Sequence, residues 1–246
     1  IYDNSQYGIY VDDAAAAIVS ENEVYGNGYS GIYAYGSQSS VDERIVVSGN
    51  TVRDNTRHGI QGYFQVLVTG NAVSGHQGSY AGIYVQSAEA LDNVVYDNTT
   101  GINANYSKIR NNRVYANNVV GILGQYRDTV IEGNQVYSNP IGIDTLADYG
   151  YNNPGPLQIL NNLVYANTDQ GIRLRGYWGQ GSSQAFSVIN NTVYQPTGDA
   201  ILVQTGEKTG AGATLRNNIL WVDAGYAINV DDDSQTGFNS DYNLLY

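Results

Sequence analysis

Residues 109–122 read IRNNRVYANNVVGI, and near-copies of the phrase recur along the chain. VSENEVYGNGYSGI stands at 19–32, IEGNQVYSNPIGI at 131–143 and ILNNLVYANTDQGI at 159–172. Aligned on the first Asn of N-x-V, the repeat places Asn22, Asn50, Asn71, Asn93, Asn112, Asn134, Asn162, Asn191, Asn218 and Asn243 in one column. Two residues on stand Val24, Val52, Val73, Val95, Val114, Val136, Val164, Val193, Leu220 and Leu245. The spacings run from 19 to 29 residues, the length of one solenoid repeat.

The apolar residues between these markers alternate, as in Ile45-Val47, Val66-Val68, Leu157-Ile159 and Phe186-Val188. A period of two makes strands, and Gly, Asn or Ser bounds each one. Three short strands in roughly 22 residues form one coil of a solenoid. The chain is therefore expected to be all-β: a single parallel β-helix domain over 1–246, of about ten coils. Parallel crossovers make it right-handed. At about 4.8 Å per coil it would stretch about 50 Å. The chain opens in mid-phrase with IYDNSQYGI and no Met, so it is expected to be a piece of a longer or processed protein. Flanking domains or end-to-end self-association would then cover the open strand edges.

The fixed letters have physical reasons. Asn at a turn tolerates a left-handed backbone, and stacked amides satisfy one another as a ladder. The Gly before Ile (Gly8, Gly31, Gly59, Gly82, Gly101, Gly121, Gly142, Gly171) is expected at a bend without room for a Cβ. Ala200 and Ala227 replace it late in the chain. The long spacers 36–44, 144–156, 176–185 and 205–212 all follow the Gly-Ile strand, so they should leave one edge of the solenoid.

If the Ile of Gly-Ile points inward, the next residue points out, and so does the one two further on. The outward pairs become Tyr10/Asp12, Tyr33/Tyr35, Gln61/Tyr63, Tyr84/Gln86, Asn103/Asn105, Leu123/Gln125, Asp144/Leu146, Arg173/Arg175, Leu202/Gln204 and Asn229/Asp231. The face opens with Tyr10, Tyr33, Tyr35, Tyr63 and Tyr84, passes through amides and reaches Arg173 and Arg175. Aromatic plates with amides between them suit sugar rings, which offer C–H faces and hydroxyls. The plainer reading is that Tyr favours strands. Another row, Tyr2, Tyr25, Tyr96, Tyr115, Tyr137, Tyr165, Tyr194, Trp221 and Tyr246, follows the Val through nearly every coil, which marks a brace rather than a site.

His58 and His76 are the sole histidines. His76 takes the slot held by Asn27, Asn55, Asn98, Asn117, Asn139 and Asn167, so it should join a corner ladder. His58 would suit a general base. Arg173 and Arg175, with Tyr177 and Trp178 beyond, would grip carboxylates, or else pair with Asp144 or Asp148 across coils. Asp12-Asp13 and Asp231-Asp232-Asp233 would suit Ca²⁺, although no Ca²⁺-loop spacing is present; as solvated charge they need no metal.

Two Lys and nine Arg against a net charge of −12 argue against nucleic acid. Polyanionic sugars would need a local Arg patch or a cation. No run approaches eighteen apolar residues, so no membrane-spanning helix is expected. With no Cys, disulfide and thiol chemistry are excluded.

The N-x-V-Y-x-N…G-I coils resemble the right-handed parallel β-helix repeat of pectate-lyase-like proteins, a likeness that covers essentially the whole chain. YGIYVDD at 7–13 and RHGI at 57–60 are similar to the Y-G-F-D-P-H-E and R-H-G-F stretches of bacterial mannuronan C5-epimerases. In that resemblance Tyr7 matches the family's catalytic Tyr and His58 its second His. Tyr10 stands where the family has Asp, and Asp12 where it has its first His. The resemblance implies an extracellular or cell-surface, carbohydrate-active scaffold, with Tyr7, His58 and Asp12 as the catalytic candidates of an epimerase or lyase. Tyr10, Tyr33, Tyr35, Tyr63, Tyr84, Arg173 and Arg175 are the candidates for binding polysaccharide. The alternative is a non-catalytic structural or adhesive segment of a large surface protein.

Overall fold

A computed structural model describes residues 1–14, 16–37, 44–146, 155–176, 185–204 and 212–246. Its strands form three parallel sheets of ten strands each, every strand pairing with its equivalent one coil away. Among the described residues there is no α-helix, only the 3₁₀ turn Asp232–Ser234. The middles of the four long spacers lie outside the described residues, and so do Asp148, Tyr177 and Trp178.

The Gly-Ile strands make the first sheet, from Ile9–Ala14 to Ile228–Val230. Its register sets Ile9, Ile32, Ile60, Ile83, Ile102, Ile122, Ile143, Ile172, Ile201 and Ile228 on one another. From Ile32 to Ile201 this column is fully buried. The third sheet stacks the Val column in the same way, fully buried from Val24 to Leu220. Each such side chain contributes about 1.5–3 kcal/mol by leaving water. β-Branched shape also fits the crowded interior of a pleated strand.

Two amide ladders run through the corners. In the first, the backbone N–H and Nδ2 of each Asn donate to Oδ1 of the Asn one coil on: Asn112 to Asn134 at 2.9 and 3.0 Å, Asn134 to Asn162 at 2.9 and 3.0 Å. Nδ2 of Asn112 also donates to the carbonyls of Ala90 and Arg110. The second ladder runs from Asn4 through Asn27 and Asn55 to Asn167. His76 replaces an amide there, its Nε2 3.3 Å from Asn55 Nδ2 and its Nδ1 3.0 Å from Asn98 Oδ1. It is fully buried, and burial pushes it down to about 4. Gln195 ends the ladder, accepting from the Asn167 amide at 3.1 Å.

One expectation about the corners is corrected, and another holds in part. The left-handed residue is the one before each ladder amide, such as Glu21, Asp92, Asn111 or Asn161, and not the amide itself. The Asn must keep an ordinary backbone to aim its side chain along the stack. The glycines before Ile leave no room for a Cβ, as expected; Gly8, Gly31 and Gly59 stand at bends, and the later ones lie within strands. A Cβ on Gly101 would lie 2.5 Å from the Gly121 carbonyl oxygen and 2.6 Å from Val114 Cγ1. Most of these glycines also face the Nδ2 of a second-ladder Asn. That amide is missing beside Gly171, and Ala200 takes the next place.

Candidate functional site

The first sheet presents two outward rows. One runs Tyr10, Tyr33, Gln61, Tyr84, Asn103, Leu123, Asp144, Arg173, Leu202 and Asn229 in continuous register. The other aligns Tyr35, Tyr63, Gln86, Asn105, Gln125, Leu146, Arg175 and Gln204. Asp12 drops out of this second row because the register breaks between Val11 and Ala14. It accepts a 3.0 Å hydrogen bond from the Tyr10 hydroxyl instead.

In the early coils the rings touch. Tyr10 stacks on Tyr33 at 4.9 Å, and Tyr7 leans on both at 5.2 Å. Tyr33 meets Tyr63, and Tyr63 meets Tyr84, each at 5.5 Å. Tyr35 packs on Tyr63 and, edge to face, on Phe64. Gln6, Tyr7, Tyr10 and Tyr33 line a concavity of about 400 Å³. Polar groups fill the spaces between rings. Ser30 Oγ donates to Gln61 Oε1, Gln61 Nε2 to the Tyr63 hydroxyl, and the Tyr84 hydroxyl to Gln86 Oε1. Asn105 Nδ2 donates to the Tyr84 hydroxyl, while the buried Oδ1 atoms of Asn103 and Asn105 have no donor. Burial pushes Tyr33 and Tyr63 up to about 12 and raises Tyr84, so these hydroxyls keep their protons at neutral pH. The hydrogen bond to Asp12 raises Tyr10 as well.

The turn before the sheet adds a wall. Tyr29, Arg57 and Tyr80 occupy one column, two residues before the Gly. The Arg57 guanidinium lies 4.1 Å over the Tyr29 ring and 5.9 Å from that of Tyr80. In the neighbouring column, Tyr7, Ser30 and His58 precede the Gly, with Ser30 in the coil between the other two. His58 packs on Tyr80 and Tyr84 at 5.1 and 5.2 Å. Its Nδ1 accepts the Ala81 amide at 3.0 Å, so the ring proton sits on Nε2. Burial pushes His58 down to about 4. Tyr7, Tyr10, Asp12, Tyr33, Tyr35, Tyr63 and Tyr84 are thus brought together, with His58 at the far margin. Tyr29, Tyr80 and Phe64 enter as turn residues outside the alternating pattern. The column two before the Gly carried the signal for the first two, since it is aromatic or basic in these coils and becomes Thr99, Val119 and Pro140 in the next.

Arg173 and Arg175 stand elsewhere, four strand steps or about 19 Å beyond Tyr84. Each donates through Nε and Nη2 to both oxygens of Asp144, at 2.6 to 3.0 Å. Asp144 is 1% exposed despite its outward register, because the two guanidiniums lie against it. Leu202, beside Arg173 in register, is buried too. The acidic run Asp231-Asp232-Asp233 lines an open concavity with Asn229 and Val230, and Asp231 accepts from Gln204. Among the described residues no three acidic or imidazole groups converge as metal ligands.

The brace row is a stack of rings. Tyr96, Tyr115, Tyr137 and Tyr165 lie near-parallel at 4.7 to 5.2 Å, as do Tyr2 and Tyr25, with Arg53 over Tyr25.

Among curated proteins none matches this chain in sequence. Solved structures share its fold. The periplasmic alginate epimerase AlgG, as a double mutant, superposes with a TM-score of 0.60 at 17% identity, over 93% of this chain and 50% of that one. The pectate lyase Pel9A gives 0.59 at 11% identity, over 95% and 79%. The A-module of an Azotobacter vinelandii mannuronan C-5 epimerase gives 0.51 at 13% identity, over 96% and 62%. The chain spans half the length of the alginate epimerase that it matches. Among the described residues no helix is long and apolar enough to cross a membrane. The model of the right-handed β-helix region matches residues 1–153, well over half of the sequence. With ten coils in register and that match, the chain belongs to the right-handed β-helix family.

Proposed function

We propose that the aromatic face of the first four coils binds polysaccharide at the cell surface or outside the cell. One observation carries the reading: Tyr10, Tyr33, Tyr63 and Tyr84, half-buried or exposed, form a connected plate of rings with amide and hydroxyl groups set between them. Sugar rings lay C–H faces on such plates and spend hydroxyls on such amides. The solved β-helices named as epimerase and lyase lend the same direction to the reading. Binding to a panel of alginate, pectate and neutral glycans tests it. Wild type should bind at least one of them, and the double variant Tyr33→Ala/Tyr63→Ala should bind more than about tenfold more weakly. Equal behaviour of the two proteins would count against it.

Uronate epimerase or lyase turnover would rely on Tyr7 and His58 with Asp12 nearby. His58 Nδ1 is engaged by the Ala81 amide, so its basic nitrogen is not offered to a substrate. Binding without turnover is therefore the reading favoured. Formation of unsaturated ends, or a changed uronate ratio in alginate, would overturn that part alone.

A second reading, a structural or adhesive segment, is favoured by the ring stack of the third sheet and by exposed apolar end residues, among them Ile18, Trp221 and Leu245. It predicts end-to-end association or a capping neighbour, which sedimentation at rising concentration detects.

A further inference from the structure

The position of the positive charges decides what kind of glycan fits. The chain has nine Arg and two Lys against a net charge of −12. Among the described residues six of the arginines pair with carboxylates, Arg173 and Arg175 both on Asp144. Arg113 lies on the third sheet, Arg216 and Lys108 on the second, all away from the aromatic face. Lys208 falls outside the described residues. One cation, Arg57, adjoins the rings, and it is stacked over Tyr29. Asp12 places a carboxylate at the other margin, on the Tyr10 hydroxyl. His58 offers no charge while its Nδ1 accepts the Ala81 amide.

A polymer with a carboxylate on every sugar would set several anions against one guanidinium, next to Asp12 and inside an acidic field. Each anion would lose hydration against half-buried rings with no partner to replace it. A neutral polymer meets none of these costs, and its hydroxyl donors have acceptors within reach in Gln86 Oε1, Gln61 Oε1 and the Asp12 carboxylate. We infer that the aromatic face takes neutral glycans, chains of uncharged sugars, in preference to uronate polymers. The inference rests on the polysaccharide-binding reading above.

The test is calorimetry and array binding with the wild-type chain. The ligands are pectate and alginate oligosaccharides, their carboxyl-reduced forms, and oligosaccharides of β-glucan, mannan and xylan. The neutral members should bind at least about tenfold more tightly than any acidic one at low salt. The gap should shrink as salt rises, because screening relieves the repulsion of the acids and leaves neutral binding unchanged. Asp12→Lys should strengthen acidic binding several-fold and so narrow the gap. If an acidic oligosaccharide binds as tightly as the best neutral one, the inference fails and polysaccharide binding stands. If nothing binds, both fall together.

Discussion

From Tyr10 to Tyr84 the outward row of the first sheet is a connected patch of half-buried or exposed rings. From Asp144 to Arg175, further along the same sheet, it is a closed ion cluster around a carboxylate 1% exposed. Both stretches pair strand to strand in the same parallel register. Backbone geometry therefore does not make the site. What differs is whether neighbouring outward side chains satisfy one another. Asp144 and the two arginines do, and they seal the surface. The tyrosines pack on one another and stay half-buried or exposed.

The largest way to break this contrast is Asp144→Ala. It strands two partly buried guanidiniums and should cost about 4 kcal/mol, read as a fall in the chemical denaturation midpoint, with glycan affinity at the early coils unchanged. A loss of affinity to match would mean that the two stretches are one site.

Acid should separate them next. His76 and His58 both lie in the early coils and are both held down to about 4 by burial. A folded value below the unfolded one, near 6.5, means that stability is complete above about 6.5 and is lost as pH falls toward 4. His76→Asn should recover about 3 kcal/mol of that loss at pH 4. Hydrogen exchange at pH 4.5, a value within that window, should open the first five coils before the last five in wild type. Simultaneous opening would sink the assignment.

Tyr33→Ala/Tyr63→Ala sharpens the contrast from the other side. It should lower stability by only about 1–2 kcal/mol, since both rings are half-buried, while abolishing most of the glycan binding. The smallest effect is expected for Tyr10→Phe, which removes the bond to Asp12 from an exposed pair. The melting temperature should not move, and affinity should change by less than about threefold. A larger drop would make that hydroxyl a direct contact to the ligand.

The interior was readable because each constant letter has a single physical use. Ile beside Gly, Val two after Asn and the Asn columns all recur with the coil, and a period of two admits no helical alternative. His76 was legible as a ladder member from its slot alone. The outward pairs followed from the same parity, Asp12 excepted, where a local break in register defeats counting. Asp144 shows the limit of parity. It told which way the side chain points and offered pairing with the two arginines as one alternative, but not that both would close on this carboxylate and bury it. Arg57 was visible only as the residue before His58. Its place over Tyr29 depends on a turn column that alternation does not reach.

The amide ladders also bear on how such a chain changes length. Each corner amide is at once donor to the coil ahead and acceptor from the coil behind, as Asn112 is between Asn93 and Asn134. Excising everything from one such residue up to its next equivalent, for instance 93–111, restores the same donor beside the same acceptor. Removing half of that stretch would strand both. Solenoids of this kind can therefore shorten or duplicate by whole turns at little energetic cost, which lets the display surface lengthen or shrink without redesign of the interior.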